Sequence, residues 1–376
     1  SGPRQVGKTT VARAAAGENA YLSWDNQDDR ATIVRGPKSV ANQLQLQRLR
    51  QQLPVLVFDE LHKYGKWKTY LKGFFDTYAD AARIIVTGCA RLDVFKRGGD
   101  SLMGRYFPYR MHPLSVAETL SARLTDGEIH PPRRCSKESL EHLLEYGGFP
   151  EPFLRADARF ARRWRSLRRE QLVREDLRDL TRVAEVGHLA VLVEILTRQA
   201  GSLANYSGLA REINVAVDTI RRWISILQTL YVVFEVRPWF RNVAKSLRKQ
   251  PKIYLWDWCS VSDEGARFEN LVASHLLKAV HGWTDRGLGD YRLHFLRDVV
   301  GREVDFLVTR DDQPWFLVEV KTSERQLHAP LAYFQDATKA DHAFQLVRNL
   351  GPVQKDCFAV RTPIVVPAVS FLSQLV

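Results

Sequence analysis

Gly2-Pro3-Arg4-Gln5-Val6-Gly7-Lys8-Thr9-Thr10 opens the chain and matches the pattern G-x-x-x-x-G-K-[ST] in full. Val11-Ala12-Arg13-Ala14-Ala15-Ala16 follow as helix formers. Phosphate chemistry needs this spacing: the glycines let backbone N–H groups curl around phosphate oxygens, and the helix start adds its partial positive charge. Lys8 is placed to reach the β- and γ-phosphates, and the Thr9 hydroxyl to sit on Mg2+. A loop of this kind is fed by a buried strand, yet only Ser1 precedes Gly2. The expectation is a longer natural protein, with that strand upstream.

A second stretch supports the first. Leu53-Pro54-Val55-Leu56-Val57-Phe58-Asp59-Glu60 is an apolar run ending in two carboxylates. A continuous apolar run suits a central parallel strand buried on both faces, and ligands bind at the carboxyl ends of such strands. Asp59 is the candidate for the Mg2+ shell and Glu60 the candidate general base. A third strand, Ala82 to Gly88, brings Thr87 to the same end as a sensor of the γ-phosphate or an orienter of water.

The composition is that of an ordinary globular protein. It has 376 residues, 45% apolar and 26% charged, which excludes disordered and fibrous classes and argues for two to four domains. No run of 18 or more apolar residues exists, so no membrane span is expected. Cys89, Cys135, Cys259 and Cys357 lie far apart without CxxC or histidine spacing, which points to free thiols in a reducing cytoplasm. The net charge of +12 favours a polyanionic partner. Nothing suggests a peptidase triad, a redox cofactor site or a sugar groove.

The sequence resembles prokaryotic AAA-type ATPases of the AAA_14 plus DUF4143 architecture. GPRQVGKTT at 2–10, VFDELHK at 57–63, VTGCARLD at 86–93 and SLMGRYFPYRMHPLSVAE at 101–118 carry the resemblance. So do YGGFPEPF at 146–153, RFEN at 267–270, GREVDFLV at 301–308 and FLVEVKTS at 316–323. Cys89 and Ala90 stand where the family usually has serines, and His62 where it usually has Gln. The resemblance implies ATP and Mg2+ as cofactors and makes Arg105 a candidate arginine on the transferred phosphoryl group, in its own subunit or on a neighbour. A ring or other homo-oligomer follows from the same resemblance.

The middle of the chain reads as helices, with Arg159–Arg182 strongly basic: eight arginines against four acids from 162 to 182. That face contacts a phosphate backbone or is a solvated surface paired at i,i+4. Asn205–Ile213 and Asp218–Leu227 then form two helices around a short turn, followed by strands at 232–236 and 253–256. The pattern is similar to a winged helix. Thr219, Arg221 and Arg222 would face outward, with Lys245, Arg248, Lys249 and Lys252 on the wing. DNA contact is one use of such a domain, and packing is another.

The last third carries a further constellation. Glu303–Val308 and Trp315–Lys321 alternate like hairpin partners, which sets Asp305 on one face and Glu319 with Lys321 on one face of the next strand. With Glu269 on a preceding helix, the set resembles the restriction-endonuclease-like PD-(D/E)xK family. There the acids hold Mg2+ and the lysine serves the attacking water. Val304 replaces the proline of that motif. A working nuclease and a nuclease-like domain that binds without cutting, or keeps Asp305–Lys321 as a buried pair, both remain open.

The expected fold is a multidomain α/β protein. A P-loop NTPase parallel sheet occupies 1–120, a helical lid 121–190, a winged helix 191–256 and a restriction-endonuclease-like α/β domain 257–376. The expected function is a cytoplasmic ATPase acting on DNA, by remodelling or translocation, with branched DNA at junctions or forks suggested by family analogy alone. Two alternatives stand beside it: a nucleotide-gated defence or signalling switch with protein partners, and an ATP-licensed, metal-dependent DNA nuclease.

Overall fold

Buried strands and amphipathic helices lie close to where the sequence pattern puts them. The computed structural model describes residues 1–16, 20–48, 50–88, 102, 104–121, 123–172, 185–240 and 249–376. It divides into two compact units, Ser1–His112 and Pro113–Val376.

In the first unit the helix Lys8–Ala15 follows the glycine loop. Strands β1 (Tyr21–Ser23), β2 (Val55–Asp59) and β3 (Arg83–Val86) form a parallel sheet in the order β1-β2-β3. Leu56, Val57, Phe58 and Asp59 are all buried, as expected of a central strand covered on both faces. The helix Trp67–Tyr78 buries Trp67, Tyr70, Leu71 and Phe74, the i, i+3, i+4, i+7 stripe that faces a core. Phe58 meets Tyr70 and Phe74 edge-on, at 5.8 and 5.4 Å between ring centroids. Strand β1 has three residues and no periodic signal, and the sequence pattern does not reveal it.

In the second unit seven strands form one mixed sheet among the described residues. They are β4 (Val233–Pro238), β5 (Lys252–Leu255), β6 (Tyr291–Arg297), β7 (Glu303–Arg310), β8 (Gln313–Lys321), β9 (His342–Val347) and β10 (Ile364–Pro367). Their order is β10-β9-β8-β7-β6-β4-β5. Alternation along the strands sends Phe306, Val308, Phe316 and Val318 into one core with the helix Glu264–Asp285. Leu307, Leu317 and Ala343 enter another core, with Leu331 and Phe334 of the helix Ala329–Thr338.

The helix-turn-helix expectation meets a more connected arrangement. Helices Val186–Arg198, Tyr206–Ile213 and Val217–Thr229 share a core with Val233, Ile253 and Leu255 of the β4–β5 hairpin. That hairpin is also the edge of the large sheet, because β4 pairs in parallel with β6 through Arg237↔His294 and Pro238↔Phe295. The regions 191–256 and 257–376 therefore share one sheet. Lys252, expected on an exposed wing, is buried at 5% exposure because its side chain leaves the edge strand inward, to Glu269 of the helix Glu264–Asp285 and to Glu303 and Asp305 of β7. Lys249 is exposed, whereas Lys245, Arg248 and residues 173–184 lie outside the described residues.

Two stretches that carry the resemblance have structural roles. Asn270 donates to the Leu255 carbonyl (2.7 Å) and accepts from the Leu255 N–H (2.8 Å), so its amide stands in for a strand partner. Removing it leaves two buried backbone groups unpaired, at about 1–3 kcal/mol each. Gly148 has no room for a side chain: a Cβ would lie 2.5 Å from Trp258 Cη2 and 2.8 Å from the Leu114 carbonyl oxygen.

Residues 113–118 are latched to the helix Glu264–Asp285 by buried polar groups. His275 Nε2 accepts from the Val116 N–H (3.0 Å), while its Nδ1 lies 2.8 Å from the Leu271 carbonyl. Lys278 donates to the Pro113 carbonyl (2.9 Å) and pairs with Glu118. Burial pushes the His275 imidazole down to about 4, so the folded protein leaves it neutral where the unfolded chain protonates. Folded chains then bind fewer protons, and stability drains away as pH falls from about 6.5 to 4. His275→Leu should be less stable than wild type at neutral pH, because the Val116 N–H loses its acceptor. The difference should shrink on acidification in urea titrations; parallel curves would contradict a neutral His275.

Candidate functional site

Gly2 sits where only glycine fits. A Cβ there would lie 2.4 Å from the Met111 carbonyl oxygen, because Ser1 and Met111 run side by side. The Met111 N–H donates to the Ser1 carbonyl (2.8 Å), and the Ser1 backbone nitrogen donates to the Tyr109 carbonyl (2.7 Å). Gln5 and Gly7 both take left-handed backbone, with φ of 62° and 100°, which curls the loop into the helix. Pro3 and Val6 are buried under it, and Arg4 and Thr10 lie toward its surface. No side chain caps the helix at Gly7 and no acid occupies its first turn, so its positive end is left for an anion. Lys8 Nζ donates to the carbonyls of Gly2 (2.9 Å) and Pro3 (2.6 Å), which folds the ammonium over the loop.

Asp59 is the centre of this site. It ends β2, between the ends of β1 and β3: the Trp24 N–H donates to the Asp59 carbonyl (3.0 Å) and the Thr87 N–H to the Phe58 carbonyl (2.9 Å). Its carboxylate accepts from three hydroxyls, those of Thr9 (2.9 Å), Tyr21 and Thr87. Burial pushes its pKa up, but the hydrogen bonds from Thr87, Tyr21 and Thr9 and the nearby Lys8 charge outweigh this and hold it below the ordinary aspartate value. A buried, ionised carboxylate in contact with a threonine hydroxyl is a donor set that suits Mg2+. Thr9 and Asp59 would hold the ion, and the ion would screen charge on phosphate oxygens.

The other expected catalytic residues stand as follows. Thr87 joins Asp59 to the Glu60 N–H (3.4 Å), knitting the ends of β2 and β3. Glu60 takes left-handed backbone at φ 56°, and its carboxylate lies 3.8 Å from His62 and 3.5 Å from Lys63. Burial holds the His62 imidazole below its ordinary value, against the opposing pull of Glu60. Arg105 pairs with Asp76 of the Trp67–Tyr78 helix at 2.8 Å. Tyr21 escapes sequence reasoning because a lone tyrosine in YLS carries no motif; only its pairing with β2 brings it to Asp59. Tyr21→Phe keeps the ring and removes one donor. It should cost about 1 kcal/mol of stability in the first unit, read as a lower urea midpoint, and an unchanged midpoint would mean that Asp59 is held without it.

The C-terminal carboxylates form a second polar cluster. The register Phe306↔Val318 and Leu307↔Leu317 sets Asp305 opposite Glu319. Asp305 accepts from the Val320 N–H (2.8 Å). Lys321 pairs with Glu319 (2.9 Å), not with Asp305. Lys252 Nζ lies 2.6 Å from Glu303, 3.5 Å from Glu269 and 3.8 Å from Asp305, and Tyr254 donates to Glu269 (2.7 Å). Burial, and then the Asp305 charge, push Glu269 and Glu319 each up to about 7. Among the described residues no three His, Cys, Asp or Glu side chains are grouped so as to hold a metal ion. With the Lys252 ammonium among these carboxylates, Glu269, Asp305 and Glu319 do not fit a divalent cation. The sequence hides Lys252 inside a run of basic residues, and Glu303 beside a more conspicuous Asp305.

The residues expected to touch DNA are partly engaged elsewhere. Arg222 pairs with Glu185 (2.9 Å), and Arg221 lies 3.7 Å from Asp218 and over the Tyr206 ring. Thr219 is half-buried. The helix Ala158–Gln171 differs: its Arg159, Arg162, Arg163 and Arg169 are exposed and make no ion pair among the described residues.

Residues 1–120 match the AAA domain model AAA_14, residues 137–259 match DUF8612 and residues 264–364 match DUF4143, the last two being domains of unknown function. Two relatives, Uncharacterized protein Mb2031c of Mycobacterium bovis and Uncharacterized protein Rv2008c of Mycobacterium tuberculosis, are each 25% identical over 377 aligned positions. Each alignment covers 95% of this chain and 79% of the relative. No solved structure matches. No helix among the described residues is long and apolar enough to cross a membrane. The N-terminal domain is thus of the ATPase type, and the chain carries the AAA_14 plus DUF4143 architecture.

Proposed function

We propose that the chain binds ATP with Mg2+ on the Gly2–Thr10 loop, hydrolyses it, and couples the cycle to DNA. The observation that carries the nucleotide reading is the Thr9–Asp59 contact, which joins two motifs fifty residues apart at the mouth of the loop. Lys8 would leave the loop carbonyls for phosphate oxygens, and Glu60 would draw a proton from water once freed from His62 and Lys63. Thr87 keeps Asp59 aimed. Arg105 serves phosphate only after leaving Asp76, in its own subunit or on a neighbour in a homo-oligomer.

Mg2+-dependent ATP hydrolysis, measured with and without linear and four-way DNA, tests this reading. Hydrolysis should rise with DNA and vanish in Lys8→Ala. Hydrolysis indifferent to every DNA would favour the nucleotide-gated switch with protein partners, and none at all would remove the ATPase reading.

The exposed arginines of the Ala158–Gln171 helix support a polyanion surface better than the helix-turn-helix does. Arg159, Arg162, Arg163 and Arg169 fall at i, i+3, i+4 and i+10, close to one helix face. Removing one arginine that neutralises a phosphate should lower the salt slope of DNA binding by about 0.9. Arg159→Ala, Arg162→Ala and Arg163→Ala together should weaken binding to all sequences alike and flatten that slope. An unchanged slope would return these arginines to a solvated face.

A further inference from the structure

Lys252 is the least expected residue of the C-terminal cluster. It opens β5, where its backbone is fixed twice: by the register Val236↔Lys252 with β4 and by a bridge to Leu203. Its side chain is 6% exposed, with the ammonium 5.6 Å from the centre of the Phe295 ring. A surface lysine chooses among rotamers, but this one is held by its strand and its buried stem. The ammonium is delivered into three carboxylates that come from two other elements, Glu269 from the helix Glu264–Asp285 and Glu303 and Asp305 from β7.

The surroundings are shaped to the same end. Tyr254, two residues along β5, holds Glu269 from the same strand. A Cβ at Gly201 would lie 3.1 Å from Glu269 Oε1, so glycine there leaves room for the carboxylate. Arg297 takes the second oxygen of Glu303 at 3.1 Å. Lys321 is committed to Glu319, leaving Lys252 as the cation that meets Asp305 within 4 Å among the described residues. A divalent ion entering among these acids would meet an ammonium that cannot withdraw without exposing or stranding a buried stem.

We propose that Lys252 is a built-in cation, taking between Glu269, Glu303 and Asp305 the place that a divalent metal takes in a nuclease, so that this cluster is held together without metal. The carboxylates then serve as an electrostatic clasp between β5, β7 and the Glu264–Asp285 helix, and the cluster is not a cutting centre. The inference does not depend on the ATPase reading.

The test measures Mn2+ binding to the full chain by electron paramagnetic resonance, without nucleotide, in wild type, Lys252→Gln and Lys252→Gln/Asp305→Asn. The N-terminal loop contributes equally to all three. Lys252→Gln should take up an additional Mn2+ that the double variant loses again. Lys252→Gln that folds only with Mn2+ gives the same support. Should it fold under neither condition, Lys252→Gln/Glu303→Gln removes one charge of each sign and takes its place under the same criterion. Mn2+ binding by wild type that Asp305→Asn abolishes would overturn the proposal, as would a folded Lys252 variant that gains no ion.

Discussion

Carboxylates at the ends of buried strands have to be compensated, and much of this structure follows from how that is done. An ionised acid taken out of water is costly unless hydrogen-bonded or paired. Asp59 is compensated by three hydroxyls from three different segments, so the loop, β1 and β3 must all arrive at the end of β2 for the charge to be tolerated. Asp305 is compensated by the Val320 N–H and by Lys252, which requires β5, β7 and β8 in one sheet. In each unit a buried acid draws together elements distant in sequence.

The two solutions differ in chemical character. Hydroxyls hold Asp59 as a charged, well-hydrogen-bonded acceptor that keeps its ionisation, the state suited to a metal and a phosphate chain. Ammonium groups meet the C-terminal acids, yet burial, with the Asp305 charge added to it, still pushes Glu269 and Glu319 up to about 7. The first arrangement is poised for an external cation, and the second already contains its own.

Much of this was legible in the sequence because motif and burial coincide. GPRQVGKTT and LPVLVFDE carry both the residue types and the apolar run that positions them, so loop, strand and Asp59 follow from pattern alone. The helix-turn-helix spans and the β7–β8 hairpin were readable from periodicities of 3.6 and 2. Tyr21 and Lys252 were not. Each reaches its partner through strand pairing across long separations, Tyr21↔Val57 and Val236↔Lys252, and periodicity carries no information about which strands neighbour each other. The charge of Lys252 suggested an exposed wing, whereas its side chain leaves the edge strand inward, to Glu269, Glu303 and Asp305.

Strand β4 belongs at once to the helical core and to the large sheet, and that double membership has a mechanical meaning. The boundary between the DUF8612 and DUF4143 matches, near residue 260, falls between β5 and the helix that follows, cutting the sheet in sequence but not in space. A fragment beginning there would bare the part of the β6 edge, at His294 and Phe295, that β4 covers, and an uncovered sheet edge invites pairing with another chain. It would also strip Glu303 and Asp305 of Lys252. The helices Val186–Arg198, Tyr206–Ile213 and Val217–Thr229 cannot swing as a separate body against the sheet without breaking the pairing of β4 with β6, so the family boundary is not a place where these described elements come apart.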